Sequence, residues 1–76
     1  MPNTEHIFEI PHNIRSVLQL EGALGAFELR PLDQQKGYVH WLQTAKDLRT
    51  REHRMTLIIE ELHAGVYNGP GQKGNS

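Results

Sequence analysis

The sequence has no cysteine, few aromatic residues and no long apolar run. Without cysteine there are no disulfides, thiolate zinc sites or cysteine nucleophiles, so a structural metal would need histidines and carboxylates. Without a run of roughly 20 apolar residues, no segment is expected to span a bilayer. The first residues carry no cationic stretch followed by an apolar core, so we expect no signal peptide and a cytoplasmic location.

An excess of charge of one sign is also lacking. Eight Lys and Arg oppose nine Asp and Glu, which gives a formal net charge of −1. No global field therefore attracts nucleic acid or basic proteins, and any electrostatic partner must recognise a local patch. The 76 residues allow one domain, and a domain this small buries only about 60% of its unfolded surface. Because a deep catalytic cleft does not fit in such a core, we predict that the protein is not an enzyme.

Apolar residues recur at helical spacing and predict an all-α fold, a small single-domain bundle of three to four short helices. A first helix begins at Pro11, carries Ile14, Val17 and Leu18 on one face, and ends near Leu20. A short, irregular helix follows within residues 21–29. Two glycines there each cost about 1 kcal/mol inside a helix.

Two longer helices complete the predicted bundle. One opens at Pro31, and its apolar stripe consists of Tyr38, Val39, Leu42 and Ala45, with Trp41 at the edge. The last has Thr50 as its predicted N-cap and Gly65 as its left-handed stop. Its stripe consists of Met55, Ile58, Ile59 and Leu62.

The polar ends of the chain define the domain boundaries. We interpret residues 1–9 as an N-terminal arm that packs Phe8 or Ile10 against the body, and residues 10–66 as the helical domain. Residues 67–76 are polar and rich in glycine, and they predict a flexible tail because they offer little to bury.

The histidines and carboxylates do not form a recognisable catalytic or metal motif. His40, His53 and His63 are not spaced i, i+4, the spacing of helical metal ligands, so we predict no metal site and solvated side chains. Glu60 and Glu61 are adjacent and point about 100° apart on a helix, which predicts a solvated face. No glycine loop of the nucleotide-binding kind is present. The sequence therefore predicts no cofactor.

Positive charge is concentrated around the turn between the last two helices, at Lys46, Arg49, Arg51 and Arg54. Arginine forks suit phosphate or carboxylate, and free backbone N–H groups at the start of a helix also favour an anion. The alternative is structural. In this alternative the cations form surface pairs with Asp47, Glu52 and helix-terminal carbonyls, and each pair contributes under about 1 kcal/mol to stability.

A family resemblance extends over about residues 10–65 and is most specific around this turn. The chain resembles the bacteriocin-protection, YdeI or OmpD-associated family, a group of small helical domains. The matching pattern joins an aromatic helix to the basic turn, and its signature residues are Tyr38, Trp41, Ala45, Lys46, Thr50, Arg51, Arg54 and Gly65. The resemblance implies a role in envelope stress or antimicrobial resistance without an assigned reaction.

Two hypotheses for the function follow. The first is a non-catalytic interaction domain in a bacterial stress response, with an unknown protein partner and residues 46–54 as its contact surface or fold-defining turn. The second is a weak anion or nucleic-acid binder that uses Lys46, Arg49, Arg51 and Arg54. No long exposed apolar stripe demands self-association, so we expect a monomer or a weak dimer.

Overall fold

A computed structural model describes residues 8–67 of the chain. The predictions for residues 1–7 of the arm and 68–76 of the tail lie outside the described residues. Between these limits the chain forms four helices and no strand, which confirms the all-α prediction. They are α1 (His12–Leu20), α2 (Leu24–Glu28), α3 (Leu32–Gln43) and α4 (Leu48–Ala64).

Proline and glycine lie at four of the eight helix boundaries. Pro11 and Pro31 lie directly before α1 and α3, where their fixed φ and missing N–H cost nothing. Gly22 and Gly65 have φ of 71° and 75° after α1 and α4. These left-handed conformations favour glycine because it lacks a Cβ. The predicted stop at Gly65 is therefore confirmed.

The start of α4 differs from the prediction. Asp47, not Thr50, is the N-cap: its backbone is extended and its carboxylate accepts a hydrogen bond from the Thr50 N–H at 2.8 Å. Thr50 lies inside the first turn. Both residue types are good caps, and here the carboxylate three positions upstream satisfies one of the amides that the helix start leaves without a partner.

The core lies where the helices meet and follows the predicted stripes, except that Ala45 lies beyond the end of α3 and Val17 is left partly exposed. α3 packs on α4, α1 packs on α2, and α2 also contacts α4. Phe8 and Ile10 pack against this core, as predicted for the arm. The buried apolar residues are Ile14, Leu18, Ala23, Phe27, Tyr38, Val39, Leu42, Ile58 and Leu62.

Candidate functional site

The basic turn, which we define as Lys46, Arg49, Arg51 and Arg54, divides into two parts. Arg54 is half-buried and belongs to the fold. Its Nη1 donates to the Trp41 carbonyl at 2.6 Å and lies 3.4 Å from Thr44 Oγ1. The guanidinium also lies 5.2 Å from the centre of the Trp41 ring. Arg54 therefore caps the end of α3, where carbonyls lack helical partners.

The other three cations have no partner within the described chain. Lys46 and Arg49 are exposed and Arg51 is half-buried, and their side chains make no hydrogen bond or ion pair with residues 8–67. One of the backbone N–H groups that were predicted to favour an anion at the start of α4 is occupied, because the Thr50 N–H donates to Asp47. Hydrogen bonds from Thr50 hold the pKa of Asp47 below its usual value. The turn thus offers cationic side chains, while the Asp47 carboxylate occupies the helix start.

Four of the five remaining signature residues lie along α3, just beyond its end, and in the first turn of α4. Tyr38 is buried, whereas Trp41, Ala45 and Thr50 are half-buried. Trp41 packs at the edge of the core, as predicted, with the Arg54 guanidinium over its ring. Because Arg54 lies against it, Trp41 is poorly placed to stack on a nucleic-acid base.

Glu61 corrects the prediction of a solvated acidic face. Glu60 is exposed, but Glu61 is only 5% exposed and accepts a hydrogen bond from the Tyr38 hydroxyl at 2.7 Å. Burial, and then the bond and charge of Glu61, raise the pKa of Tyr38 well above its usual value. A signal was available in the sequence: Glu61 follows Ile58 by three positions and precedes Leu62, so all three share the buried face of α4.

Arg30, which the sequence analysis did not single out, completes this end of the bundle. Its Nη2 donates to the Glu61 carbonyl at 3.2 Å and to the Val66 carbonyl at 2.7 Å. Tyr67, the first residue of the predicted tail, packs edge-on against Tyr38 with ring centres 5.3 Å apart. We call Arg30, Tyr38, Glu61, Val66 and Tyr67 the closed end.

A groove runs between α1 and α4, on a side of α4 that does not face the closed end. Its volume is about 450 Å³, within the range of natural binding sites. Apolar residues form much of its lining, and one of its edges adjoins the basic turn through Leu48 and Arg51. Val17 and Leu48 remain 37% and 68% exposed. The apolar lining residues are Ile14, Val17, Leu48, Met55 and Ile59.

A second cavity, of about 580 Å³, lies beside Phe8 and Ile10 and has a more polar lining. Two of its charged groups, Arg15 and Glu28, form an ion pair at 3.5 Å. The Gln35 amide donates to the carbonyls of Glu28 and Arg30. Arg15, Glu28 and Gln35 are therefore committed to contacts within the protein.

The histidines of the described segment do not form a cluster with metal-ligand geometry. Within residues 8–67 no three His, Asp or Glu side chains are grouped so that they could hold a metal ion. His63 Nε2 lies 3.1 Å from the Glu21 carbonyl, which ties the end of α1 to the end of α4. In the same part of the chain, none of the helices has the length and apolar character needed to cross a membrane.

Fold and site together define a small all-α domain with a closed polar end and an open apolar groove. The model of the family described as Bacteriocin-protection, YdeI or OmpD-Associated matches residues 8–65. The chain belongs to this family, as the aromatic helix and basic turn indicated. No curated protein and no solved structure matches the chain significantly.

Proposed function

We propose that this domain is a non-catalytic protein-interaction module that holds a segment of a partner protein in the groove between α1 and α4. The observation that carries the proposal is the exposed apolar lining of that groove. In a domain this small, apolar side chains contribute most to stability when they are buried. Val17 and Leu48 instead face solvent beside Met55 and Ile59, and exposed apolar surface of this kind is typical of interaction sites.

The arrangement of titratable groups supports a non-catalytic role. General acid–base or nucleophilic chemistry needs two reactive groups in contact at a site that substrate can reach. The buried pair described here, Tyr38 and Glu61, lines neither cavity. Tyr67 packs against the Tyr38 ring from the C-terminal side.

The family description suggests the process in which such a module acts. We propose a role in bacteriocin protection or a related envelope-stress response, exerted from the cytoplasm through a partner protein. Deleting the gene in its native host should increase sensitivity to bacteriocins, and the wild-type gene should restore resistance. A Val17→Glu gene should restore less resistance at equal protein level. Full rescue by this variant would contradict a role for the groove.

The three unpaired cations of the basic turn favour a second candidate. Lys46, Arg49 and Arg51 present charge that an anion or a nucleic acid can neutralise. Within the described residues the basic turn offers only three such groups, and phosphate binding would leave the apolar groove unused. We therefore rank this function below protein binding.

Crosslinking in cells tests the groove directly. A photoreactive phenylalanine analogue at position 17 faces the groove, and the same analogue at the exposed Gln19 on α1 is the matched control. We expect one protein to crosslink from position 17 and much less from position 19. The purified partner should then shift the backbone amides of α1 and α4 and bind Val17→Glu more weakly. Equal crosslinking from both positions, or unchanged affinity, would refute the assignment.

A further inference from the structure

We infer that the segment bound in the groove is an amphipathic helix with carboxylates at the end that lies next to Arg51. This inference rests on the proposed function and names the chemistry of the partner. Two features of the groove support it: the opposite charges at its two ends, and the distance between those ends.

One end of the groove is electropositive. Arg51 lines it, and Lys46 and Arg49 lie within five positions of Arg51 on the same turn. None of the three side chains has a partner within residues 8–67. Of the two acidic residues beside them, Asp47 is engaged as the N-cap of α4. Glu52 also lines the groove and offsets part of the positive charge, which leaves an excess of cations at this end. A partner that places carboxylates here gains complementary charge, which favours specificity and rapid association.

The opposite end of the groove carries negative charge. Glu21 lines it at the end of α1, and its carbonyl contacts His63 near the end of α4. His63 follows Arg51 by 12 positions, which corresponds to roughly 18 Å along a helix. The charge of the groove edge thus changes sign over about three helical turns. A short helix with carboxylates at one end and a basic residue at the other matches this pattern.

The apolar lining favours a protein helix over nucleic acid. Apolar side chains spaced i, i+3, i+4 and i+7 on one face of a helix fill a groove between two other helices. A nucleic acid would leave Val17, Met55 and Ile59 without apolar contact. It would also extend phosphates along the groove toward Glu21, which lines the opposite end.

Two designed helical peptides with one apolar stripe test the inference. The first carries Glu at one end and Lys at the other, and the second has all charges replaced by Gln. Isotope-labelled protein is titrated with each peptide while the backbone amides are followed at low and moderate salt. We expect shifts along α1 and α4, with the charged peptide bound roughly tenfold more tightly at low salt. Added salt should reduce this advantage.

Variants of the protein assign the preference to Arg51. Arg51→Glu should abolish the advantage of the charged peptide, and Arg51→Gln should reduce it. Lys36→Glu makes the same charge change at an exposed α3 position that does not line the groove, so it should leave the preference intact. Melting curves of all variants check that each one folds.

The outcomes separate the inference from the proposed function. Equal binding of both peptides in the groove would overturn the acidic preference and leave the interaction site standing. If neither peptide shifts groove amides, the inference that the groove binds a helix is wrong. Crosslinking from position 17 tests independently whether the groove is an interaction site. Shifts at Lys46 and Arg49 with short duplex DNA, and none with peptide, would replace the inference with nucleic-acid binding.

Discussion

The two ends of α4 use their polar groups in opposite ways. At the closed end, Arg30 and Tyr38 bring charge and hydroxyl groups into contact with Glu61, Val66 and Tyr67. At the open end, which we define as Lys46, Leu48, Arg49 and Arg51, three cations and a leucine face outward without a partner in the described chain. The comparison indicates that the polar contacts of the closed end belong to the fold, whereas the binding role that we propose concerns the open end.

Substitutions should separate these roles, and the largest effect is expected at the closed end. Tyr38→Ala removes a buried ring that packs against Phe27 and Tyr67, together with the hydroxyl bonded to Glu61. We expect a loss of about 3–5 kcal/mol in the free energy of unfolding. That is a large share of the roughly 4–11 kcal/mol typical of 76 residues. Urea unfolding measures it. Tyr67→Ala, at a more exposed ring, is the comparison and should cost less.

Tyr38→Phe sharpens the comparison by keeping the ring and removing only the hydroxyl. A hydrogen bond to a charged group typically contributes about 1.5–3 kcal/mol, so we expect a loss in that range at neutral pH. Because the folded state raises the pKa of Tyr38, this contribution is complete below the tyrosine's ordinary pKa. It falls as the pH rises from there toward the folded value. Melting curves between neutral and alkaline pH should converge for wild type and Tyr38→Phe, and parallel curves would contradict the buried pair.

The contrast between the ends also indicates what the sequence could predict. Four helices, their stripes and the Gly65 stop follow from spacing and from proline and glycine chemistry, which act locally. The burial of Glu61 could have been predicted, because it shares one face of α4 with Ile58 and Leu62. The adjacent Glu60 instead suggested a solvated acidic face. The competing caps Asp47 and Thr50 could not be ranked from residue type alone.

The groove and the closed end are set by tertiary placement. Val17 lies on the predicted apolar face of α1 and remains partly exposed because α1 and α4 leave a groove between them. Arg30 reaches α4 across more than thirty residues of sequence. No local pattern specifies how two distant segments are arranged, so both features needed the structure.

Arg54 breaks the simple division, because it belongs to the basic turn yet acts as a structural residue. Arg54→Ala removes the bond to the Trp41 carbonyl and the guanidinium over the Trp41 ring. We expect a loss of about 1.5–2 kcal/mol, in the lower part of the range for charged hydrogen bonds, because the site is only half-buried. Thermal melting measures the loss, and Trp41 fluorescence should shift to longer wavelength. Unchanged melting and fluorescence would contradict the structural role of Arg54 and group it with Lys46, Arg49 and Arg51.

A smaller effect is expected at the cap that begins the open end. Asp47→Ala should lower the melting temperature, whereas Asp47→Asn should keep most of the stability because Asn is also a good cap. Since the folded state lowers the pKa of Asp47, the charged cap stabilises above the ordinary aspartate pKa, and this stabilisation is lost as the pH falls through the folded value. The advantage of wild type over Asp47→Asn should therefore shrink on acidification. A constant difference across that pH range would contradict the assigned role.

The smallest effect on stability is expected at Arg49. Its side chain is exposed and makes no hydrogen bond or ion pair with the described residues, so Arg49→Ala should change the free energy of unfolding by no more than about 0.5 kcal/mol. The same substitution should weaken binding of the charged helical peptide, because Arg49 adds to the positive charge beside Arg51. Paired unfolding and peptide titrations make this measurement. A clear loss of stability without a change in affinity would reverse the assignment and make the open end part of the fold.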